Sequence, residues 1–181
     1  MKTLAKWSVA DYNRLIETGF LSHRHVELVA GEIIEMSPEG PLHYSLASGM
    51  ADYLQKLLRG SAHVRFNGPI SLVTSQPQPD IAIVKLPKRQ YRHSHPTAAQ
   101  IFWLIEVSHT TLEYDTNEKK LVYAQAGIQE YWVVDVNQQQ LNLFRQPVDN
   151  DYQIKSVVRE GNITPKSFPD LKISVQFLLK L

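Results

Sequence analysis

The most apolar segment of the sequence is Ile101-Phe102-Trp103-Leu104-Ile105-Glu106-Val107-Ser108, and it contains a single carboxylate. An apolar run of this length predicts a buried, central β-strand over Ile101–Val107. A second apolar run, Ile81–Val84, directly follows Asp80. An ionised carboxylate in such a setting is costly unless it is paired or holds a metal ion. Two carboxylates on neighbouring strands repel each other unless a cation lies between them. Asp80 and Glu106 therefore predict a divalent-metal site of the kind that cleaves phosphodiesters.

The segments on either side of this strand carry strand or helix patterns. The predicted strands are His25–Leu28, Glu32–Met36, His63–Phe66, Ile70–Thr74, Asp80–Val84, Ile101–Val107 and Tyr131–Val136. The predicted helices are Val9–Glu17, Leu42–Leu58 and Asp115–Ala126. The strand, helix, strand order around the last helix is typical of a right-handed parallel crossover. After Asn137 the pattern indicates a β-meander with a turn at Asp149–Asp151. The predicted fold class is α/β, or α+β, with a mixed β-sheet flanked by helices.

Composition limits the class of protein. The chain has 181 residues, which predicts a single domain over residues 1–181. It contains no cysteine, so disulfides, thiolate nucleophiles and cysteine zinc sites are excluded, and a cytoplasmic location is expected. Met1–Trp7 lacks the apolar stretch of a signal peptide. No apolar run reaches the roughly 20 residues that span a bilayer, so no membrane partner is expected. The net charge of +1 neither favours nor excludes nucleic acid.

The chemistry of phosphodiester hydrolysis accounts for the predicted residues. A water must be activated, negative charge on phosphorus must be stabilised and the leaving oxygen must be neutralised. A hard cation with oxygen ligands can serve all three needs, so Mg²⁺ is the expected cofactor, with Mn²⁺ as a substitute. Asp80 and Glu106 are the expected ligands, and the backbone carbonyl of Val107 could add a further oxygen. Lys119 could orient the water or stabilise developing charge.

Short motifs occur in a fixed order along the chain. They are Glu27-Leu28-Val29-Ala30-Gly31-Glu32-Ile33, Pro38 with His43, Pro79-Asp80, Ile105-Glu106-Val107-Ser108, and Asp115-x-x-Glu118-Lys119 followed by Tyr123, Gly127 and Glu130-Tyr131-Trp132. This ordered set resembles the PD-(D/E)xK nuclease superfamily, and more specifically the Uma-two family of endonucleases, from about Val26 to Asp135. The resemblance implies a restriction-endonuclease-like fold, DNA as substrate and a homodimer that cuts both strands. It also implies that Glu27 is a ligand or a water-positioning carboxylate, and that His43 belongs to the site.

One position departs from the superfamily pattern. The residue two after Glu106 is Ser108, where the superfamily has lysine. In the resembled family the lysine of the following helix takes that role, and Lys119 holds the matching position. Lys120 is adjacent, but one helical step rotates it by about 100°. Lys119 shares a helix face with Tyr123, so we expect Lys119 to enter the site and Lys120 to point toward solvent.

Structural explanations compete with these assignments. Asp80 after a proline could mark a turn, and Glu106 with Lys119 could form a buried salt bridge, as in inactive nuclease folds. Glu27 could be an edge-strand charge, and His43 a surface or capping residue. Asp115 has the position of a helix N-cap. Tyr123 and Trp132 fit a hydrophobic core.

A basic segment lies in the predicted loop Leu86–Gln100. Its cations Lys88, Arg89 and Arg92 could contact phosphates while Tyr91 stacks on a base, although a solvated loop explains them equally well. Three functions follow from the sequence. The first is an Mg²⁺-dependent nuclease, and the second is an inactive nuclease-fold module that binds nucleic acid or protein. The third is a metal-dependent hydrolase of small phosphoesters.

Overall fold

The computed structural model describes residues 3–180, so Met1, Lys2 and Leu181 lie outside the described residues. The prediction made for Met1–Trp7 therefore lies partly outside them. The strands are Val26–Val29 (β1), Glu32–Glu35 (β2), His63–Phe66 (β3), Ile81–Val84 (β4), Ile101–Ser108 (β5), Glu130–Asp135 (β6), Gln140–Val148 (β7), Asp151–Val158 (β8), Asn162–Ile163 (β9) and Ile173–Ser174 (β10). The α-helices are Val9–Glu17 (α1), Pro41–Leu57 (α2), Leu112–Tyr114 (α3), Lys120–Gln125 (α4) and Val175–Leu178 (α5). Among residues 3–180, no helix combines the length and the apolar character that crossing a membrane requires.

A six-stranded mixed sheet forms the centre of the fold, in the order β3-β4-β5-β6-β7-β8. β5 and β6 are parallel, as the strand, helix, strand pattern predicts, and the other neighbours are antiparallel. β5 lies inside the sheet, and seven of its eight residues are buried. The turn between β7 and β8 has positive φ angles at Asp149 and Asn150, which suits a two-residue hairpin connection. The predicted fold class, with a mixed sheet flanked by helices, is confirmed.

The two faces of the sheet pack against different helices. Alternate side chains of β5, among them Trp103 and Ile105, contact a core that includes α2 residues such as Met50 and Leu54. Leu104 lies on the opposite face, in a second core that includes Tyr123 of α4. The period of two along the strand therefore directs Glu106 toward the α4 face. Because both faces of β5 are covered, Glu106 is only 3% exposed.

A hairpin of β1 and β2 forms a separate two-stranded sheet. It packs with α1 in a small core of its own, in which Tyr12 and Leu28 are buried. α1 begins with a capping box, in which Ser8 and Asp11 satisfy each other's backbone N–H groups. The hairpin brings Glu27 to the same end of the sheet as Asp80, because the Gln78 backbone N–H donates to Glu27 Oε2 at 3.0 Å.

The predicted strand Ile70–Thr74 does not form, and this prediction was wrong. Ile70 and Leu72 are buried, as their alternation indicates, but their backbone N–H groups donate to single carbonyls of Pro77 and Ser75. A ladder cannot extend through Pro77, which has no N–H group to donate. The backbone at the end of this segment is hydrogen-bonded to the β1–β2 hairpin instead. The Gly31 N–H of the hairpin donates to the Thr74 carbonyl at 3.1 Å.

Candidate active site

A cavity of about 200 Å³ opens at the end of the sheet where β4 begins and β5 ends. Six of the nine side chains or backbone groups predicted for the site line this cavity: Glu27, His43, Asp80, Glu106, Val107 and Lys119. The other three, Lys88, Arg89 and Arg92, line a different groove. The fold therefore brings together residues that are up to 92 positions apart, from Glu27 to Lys119.

Asp80 and Glu106 are directly connected. The Asp80 backbone N–H donates to Glu106 Oε2 at 3.2 Å, and the Val107 backbone N–H donates to Asp80 Oδ2 at 2.6 Å. The antiparallel pairing of β4 with β5 sets this geometry, since Ile81 is opposite Ile105. Asp80 is 8% exposed. Both of its side-chain hydrogen bonds go to Oδ2, one from Val107 and one involving His43 Nε2 at 3.1 Å.

Lys119 lies between two carboxylates. Its Nζ is 3.1 Å from Glu106 Oε1 and 3.4 Å from Glu27 Oε1. The Tyr123 hydroxyl donates to the same Glu106 oxygen at 2.8 Å, so Tyr123 is a core residue that also supports the site. Burial lowers the pKa of Lys119, but Glu106 and Glu27 outweigh that effect and raise it well above its usual range. Lys119 is therefore a fixed positive charge in the cavity.

The acidic groups of the cavity crowd one another. Burial raises the pKa of Glu106 well above its usual range, Lys119 opposes this rise, and the negative charges of Asp80, Asp115 and Glu27 add to it. Such a cluster favours any additional cation, because a cation would offset the mutual repulsion of the carboxylates. The cavity therefore has the electrostatic character of a cation site.

Lys119 belongs to a helical segment that is not a regular α-helix. The segment begins at Leu112, passes through a π-helical turn at Asp115–Lys119 and ends at Gln125. Hydrogen bonds from i to i+5 widen such a turn, so each residue rotates less about the axis. In a regular α-helix Asp115 and Tyr123 would be about 80° apart. The wide turn removes part of that rotation, which lets both residues and Lys119 face the same end of the sheet.

The expectation that Lys120 points toward solvent is wrong. Its side chain is 11% exposed, and its Nζ lies 3.2 Å from Asp151 Oδ1 of β8. The same Nζ is 5.8 Å from the centroid of the Phe144 ring. Because the π-helical turn reduces the rotation between successive residues, Lys120 stays on the buried side of the helix. It joins the helix to the sheet and does not line the cavity.

Asp115 is not a helix N-cap, which corrects a second expectation. It lies inside the helical segment, and its Oδ2 accepts hydrogen bonds from Ser108 Oγ and Thr111 Oγ1, each at 2.6 Å. Burial raises the pKa of Asp115, and Lys119 and both hydroxyls oppose the rise. Ser108, at the position where the superfamily has lysine, thus holds an additional carboxylate at the cavity.

The sequence of residues 9–176 matches the Uma2 family, described as "Putative restriction endonuclease". The chain belongs to the Uma2 family. Its fold is similar to a crystal structure of "a putative nuclease belonging to DUF820" from Anabaena variabilis, with 18% identity and a TM-score of 0.70, covering 88% of this chain and 94% of that chain. The type IIG restriction endonuclease BpuSI is 12% identical, with a TM-score of 0.40, over 60% of this chain and 12% of that one. No curated protein matches the sequence.

The cavity of this Uma2 chain contains one further acidic residue, Glu39, which the sequence analysis did not identify. Ligand atoms of Glu39, His43 and Asp80 all lie within 4.8 Å of one another. His43 Nδ1 is buried without a hydrogen-bond partner among the described residues, and Glu39 Oε2 is 3.6 Å from it. Glu39 precedes α2 and has no helical or strand pattern, so only its spacing of four from His43 could have indicated it. Asp80 is common to this cluster and to the predicted Asp80–Glu106 pair.

Protonation of His43 in the Uma2 chain should depend on Asp80. The hydrogen bond to Asp80 raises the pKa of His43, while burial opposes this rise. Because the pKa of His43 is higher in the folded state, binding of its proton stabilises the fold. This contribution is complete at pH values below 6.5, the pKa of His43 in the unfolded chain, and it is lost as the pH rises through the folded-state pKa. A divalent cation beside Asp80 would compete with the same proton.

We expect His43→Asn to lower the unfolding free energy of metal-free protein more at about pH 5.5 than at about pH 8.5. We also expect wild-type affinity for Mn²⁺ to rise over this range, and more steeply than in the variant. Denaturant unfolding in chelator and calorimetry measure the two effects. His23→Asn is the matched control, because His23 is exposed. An equal pH dependence in all three proteins would contradict the assignment to His43.

Proposed function

We propose that this Uma2 chain is a divalent-metal-dependent endonuclease that hydrolyses phosphodiester bonds in DNA. The observation that carries the proposal is the hydrogen-bonded contact between Asp80 and Glu106, beside the buried ammonium group of Lys119. Lys119 Nζ lies 3.1 Å from Glu106. Membership of a nuclease family supports the reaction class. DNA as substrate, a cytoplasmic location and a homodimer are further parts of the proposal.

The residues of the cavity fit a hard divalent cation. Asp80 Oδ1 accepts no hydrogen bond from the described residues, and the crowded carboxylates are the oxygen donors that Mg²⁺ and Mn²⁺ take. Asp80, Glu106 and the carbonyl of Val107 would hold the ion, and Glu39 and His43 lie close enough to Asp80 to contribute. When bound, the ion would lower the pKa of a water and neutralise charge on the phosphate.

Other side chains of the cavity would supply the remaining functions in the proposed hydrolysis. Lys119 would stabilise the negative charge that develops on phosphorus, because the two neighbouring carboxylates keep its amine protonated despite its burial. Glu27 would hold Lys119 in place and accept a hydrogen bond from an attacking water. Tyr114 supports Glu27, since its hydroxyl donates to Glu27 Oε1 at 3.3 Å. Where it does not ligate the ion, His43 would donate a hydrogen bond from its ring N–H to the substrate phosphate.

A cleavage assay tests the proposal. Supercoiled plasmid and linear duplex DNA are incubated with the protein and Mg²⁺ or Mn²⁺, and we expect nicked and linear products that disappear in chelator. Glu106→Gln should abolish the products. Its single amide oxygen can still accept from Tyr123 but the bond from Asp80 N–H to the second carboxylate oxygen is lost, so circular dichroism is used to verify that the variant is folded. Cleavage that persists in Glu106→Gln would indicate a contaminating nuclease. RNA and a small phosphodiester, tested in parallel, define the substrate class.

The inactive binding module is the second candidate, and one observation favours it. Lys119 and Glu106 form a buried salt bridge, which is the arrangement expected if the pair only stabilises the fold. Wild-type protein that binds DNA but cleaves neither DNA nor RNA with either metal would establish this second function.

A further inference from the structure

A groove of about 410 Å³ lies along the edge strand of the sheet, apart from the cavity that holds Lys119. β3 contributes His63 and Arg65 to it. The short helical turn Lys88–Tyr91 and the residue that follows it contribute the other cations. The residues that line this groove, which we call the basic groove, are His63, Arg65, Lys88, Arg89, Tyr91 and Arg92.

Tyr91 organises the basic groove. Its hydroxyl donates to the Lys85 carbonyl at 2.8 Å, which fixes the turn against the chain. The Arg65 guanidinium lies 5.7 Å from the centroid of the Tyr91 ring, and the His63 ring is stacked on it at 6.4 Å. With the Arg65 guanidinium and the His63 ring against its own ring, Tyr91 is a support for the groove. The expectation that it stacks on a base is therefore not supported.

The cations of the basic groove lack acidic partners. Among the ten ion pairs of residues 3–180, none involves the groove's arginines or lysine. Arg65 is half-buried, and its Nε is enclosed without a hydrogen-bond partner in the described chain. Burial lowers the pKa of Arg65, and burial with the charges of Lys88 and Arg65 lowers that of His63. A half-buried guanidinium without a counter-charge is costly, so the groove favours an anion.

The backbone of β3 links the basic groove to the cavity. Two residues beyond Arg65, Asn67 N–H donates to the Asp80 carbonyl at 2.8 Å, and its side chain donates to Glu39 Oε1 at 3.0 Å. Two residues of chain span at most about 7 Å, even when fully extended. Each strand of duplex DNA carries a phosphate for about every 3.4 Å of helix axis. A backbone held near Asp80 therefore reaches Arg65 within a few nucleotides.

Gly68 sets the position of the Arg65 side chain. The guanidinium donates from Nη2 to the Pro69 carbonyl at 3.2 Å, which holds it against the backbone turn at Gly68. A Cβ atom at Gly68 would lie 2.9 Å from Arg65 Nη2, so any larger residue there must displace the guanidinium. The structure thus offers a way to move this cation without changing the charge of the protein.

We propose that the basic groove binds phosphates of the nucleic acid backbone that flank the bond to be cut, with Arg65 as the cation nearest the cavity. This proposal rests on the proposed nuclease function, and it assigns a phosphate-binding role to Arg65 in addition to Lys88, Arg89 and Arg92. The groove contacts are independent of base sequence, because they are made to phosphates.

Binding of a fluorescent 30-base-pair duplex tests the proposal. The measurement uses Glu106→Gln protein in chelator, so that cleavage plays no part. The triple variant Lys88→Gln, Arg89→Gln, Arg92→Gln should bind more weakly and reduce the slope of log affinity against log salt by about 0.9 for each contact removed. The matched control replaces Arg159, Lys172 and Lys180 by glutamine. All three are exposed and lie outside the groove, Arg159 directly after β8 and the two lysines near α5, and the change removes the same charge.

Gly68→Ala in the same background tests the role of Arg65 at constant charge. Because the alanine Cβ must displace the guanidinium, we expect a reduction of the salt slope by up to about 0.9, the value for one lost phosphate contact. Equal losses in the triple variant and its control would overturn the proposal, as would absence of binding at low salt or an unchanged slope in both groove variants. If wild-type protein cleaves nothing but the groove variants lose binding, the groove assignment stands and the proposed nuclease function fails.

Discussion

Lys119→Met is expected to slow DNA cleavage by about 10²–10³-fold, the loss found when a single donor that stabilises transition-state charge is removed. The reason is that Lys119 is a buried cation of the cavity, held 3.1 Å from Glu106 and 3.4 Å from Glu27. The substitution also leaves these carboxylates without their partner, so the unfolding free energy should fall by about 3–5 kcal/mol. Single-turnover cleavage is therefore measured well below the melting temperature of the variant.

Two further variants separate the effect on the rate from the effect on stability. Lys119→Arg keeps the positive charge, so we expect it to recover most of the lost stability and part of the rate. Lys120→Gln removes the adjacent lysine, whose partner Asp151 retains a second ion pair with Lys155. This variant should melt at a lower temperature but cleave within a few-fold of wild type. An inactive Lys120→Gln beside an active Lys119→Met would reverse the assignment of the two lysines.

Asp80→Asn is expected to abolish metal-dependent cleavage and to lower affinity for Mn²⁺ by at least about a hundredfold, since even indirect support of a metal ligand is worth 10–100-fold. Metal-free protein should melt at the same or a higher temperature at about pH 8.5, where the His43 proton contributes least to stability. The asparagine oxygen can still accept from Val107 N–H, and one negative charge near Glu106 disappears. Calorimetry with Mn²⁺ and thermal melts in chelator measure the two effects.

Asp135→Asn is the matched control for this change. Asp135 is a carboxylate of similar burial at the end of β6, where it accepts hydrogen bonds from Gln138 and Gln140 outside the cavity. It should bind Mn²⁺ and cleave as wild type does. A fall of several kcal/mol in the stability of metal-free Asp80→Asn would instead identify Asp80 as the partner of a structural ion pair with His43, and would favour the inactive binding module.

The regular parts of the fold could be predicted from the sequence because local signals there agree with tertiary packing. The apolar run of β5 corresponds to a strand buried on both faces, and its one acidic residue marks the cavity. The helical spacing of Lys119 and Tyr123 is four residues, and both side chains contact Glu106. The turn at Asp149 and Asn150 has the residues that left-handed conformations accept.

The failures have a common physical cause, which is that partners distant in sequence decided the local structure. Ile70–Thr74 has strand-like alternation, but its backbone donors bind individual carbonyls rather than a neighbouring strand. The π-helical turn cannot be recognised from a periodicity of 3.6, so the position of Lys120 was missed. Glu39 has no pattern of its own and joins the cavity because Asp80 and Asn67, which are distant in sequence, lie beside it.

The β1–β2 hairpin, which contributes Glu27 to the cavity, is a sheet separate from the six-stranded sheet, so its stability can differ from that of the rest of the fold. A two-stranded hairpin is marginally stable alone, and this one is held by a small core with α1 and by hydrogen bonds to residues 74–78. Local opening of such a unit requires less free energy than unfolding of the whole sheet. When it opens, Glu27 leaves Lys119, and the lysine then has Glu106 as its nearest counter-charge. We therefore expect the charge balance of the cavity to change on warming before the six-stranded sheet melts, so that loss of the proposed activity and global unfolding occur at different temperatures.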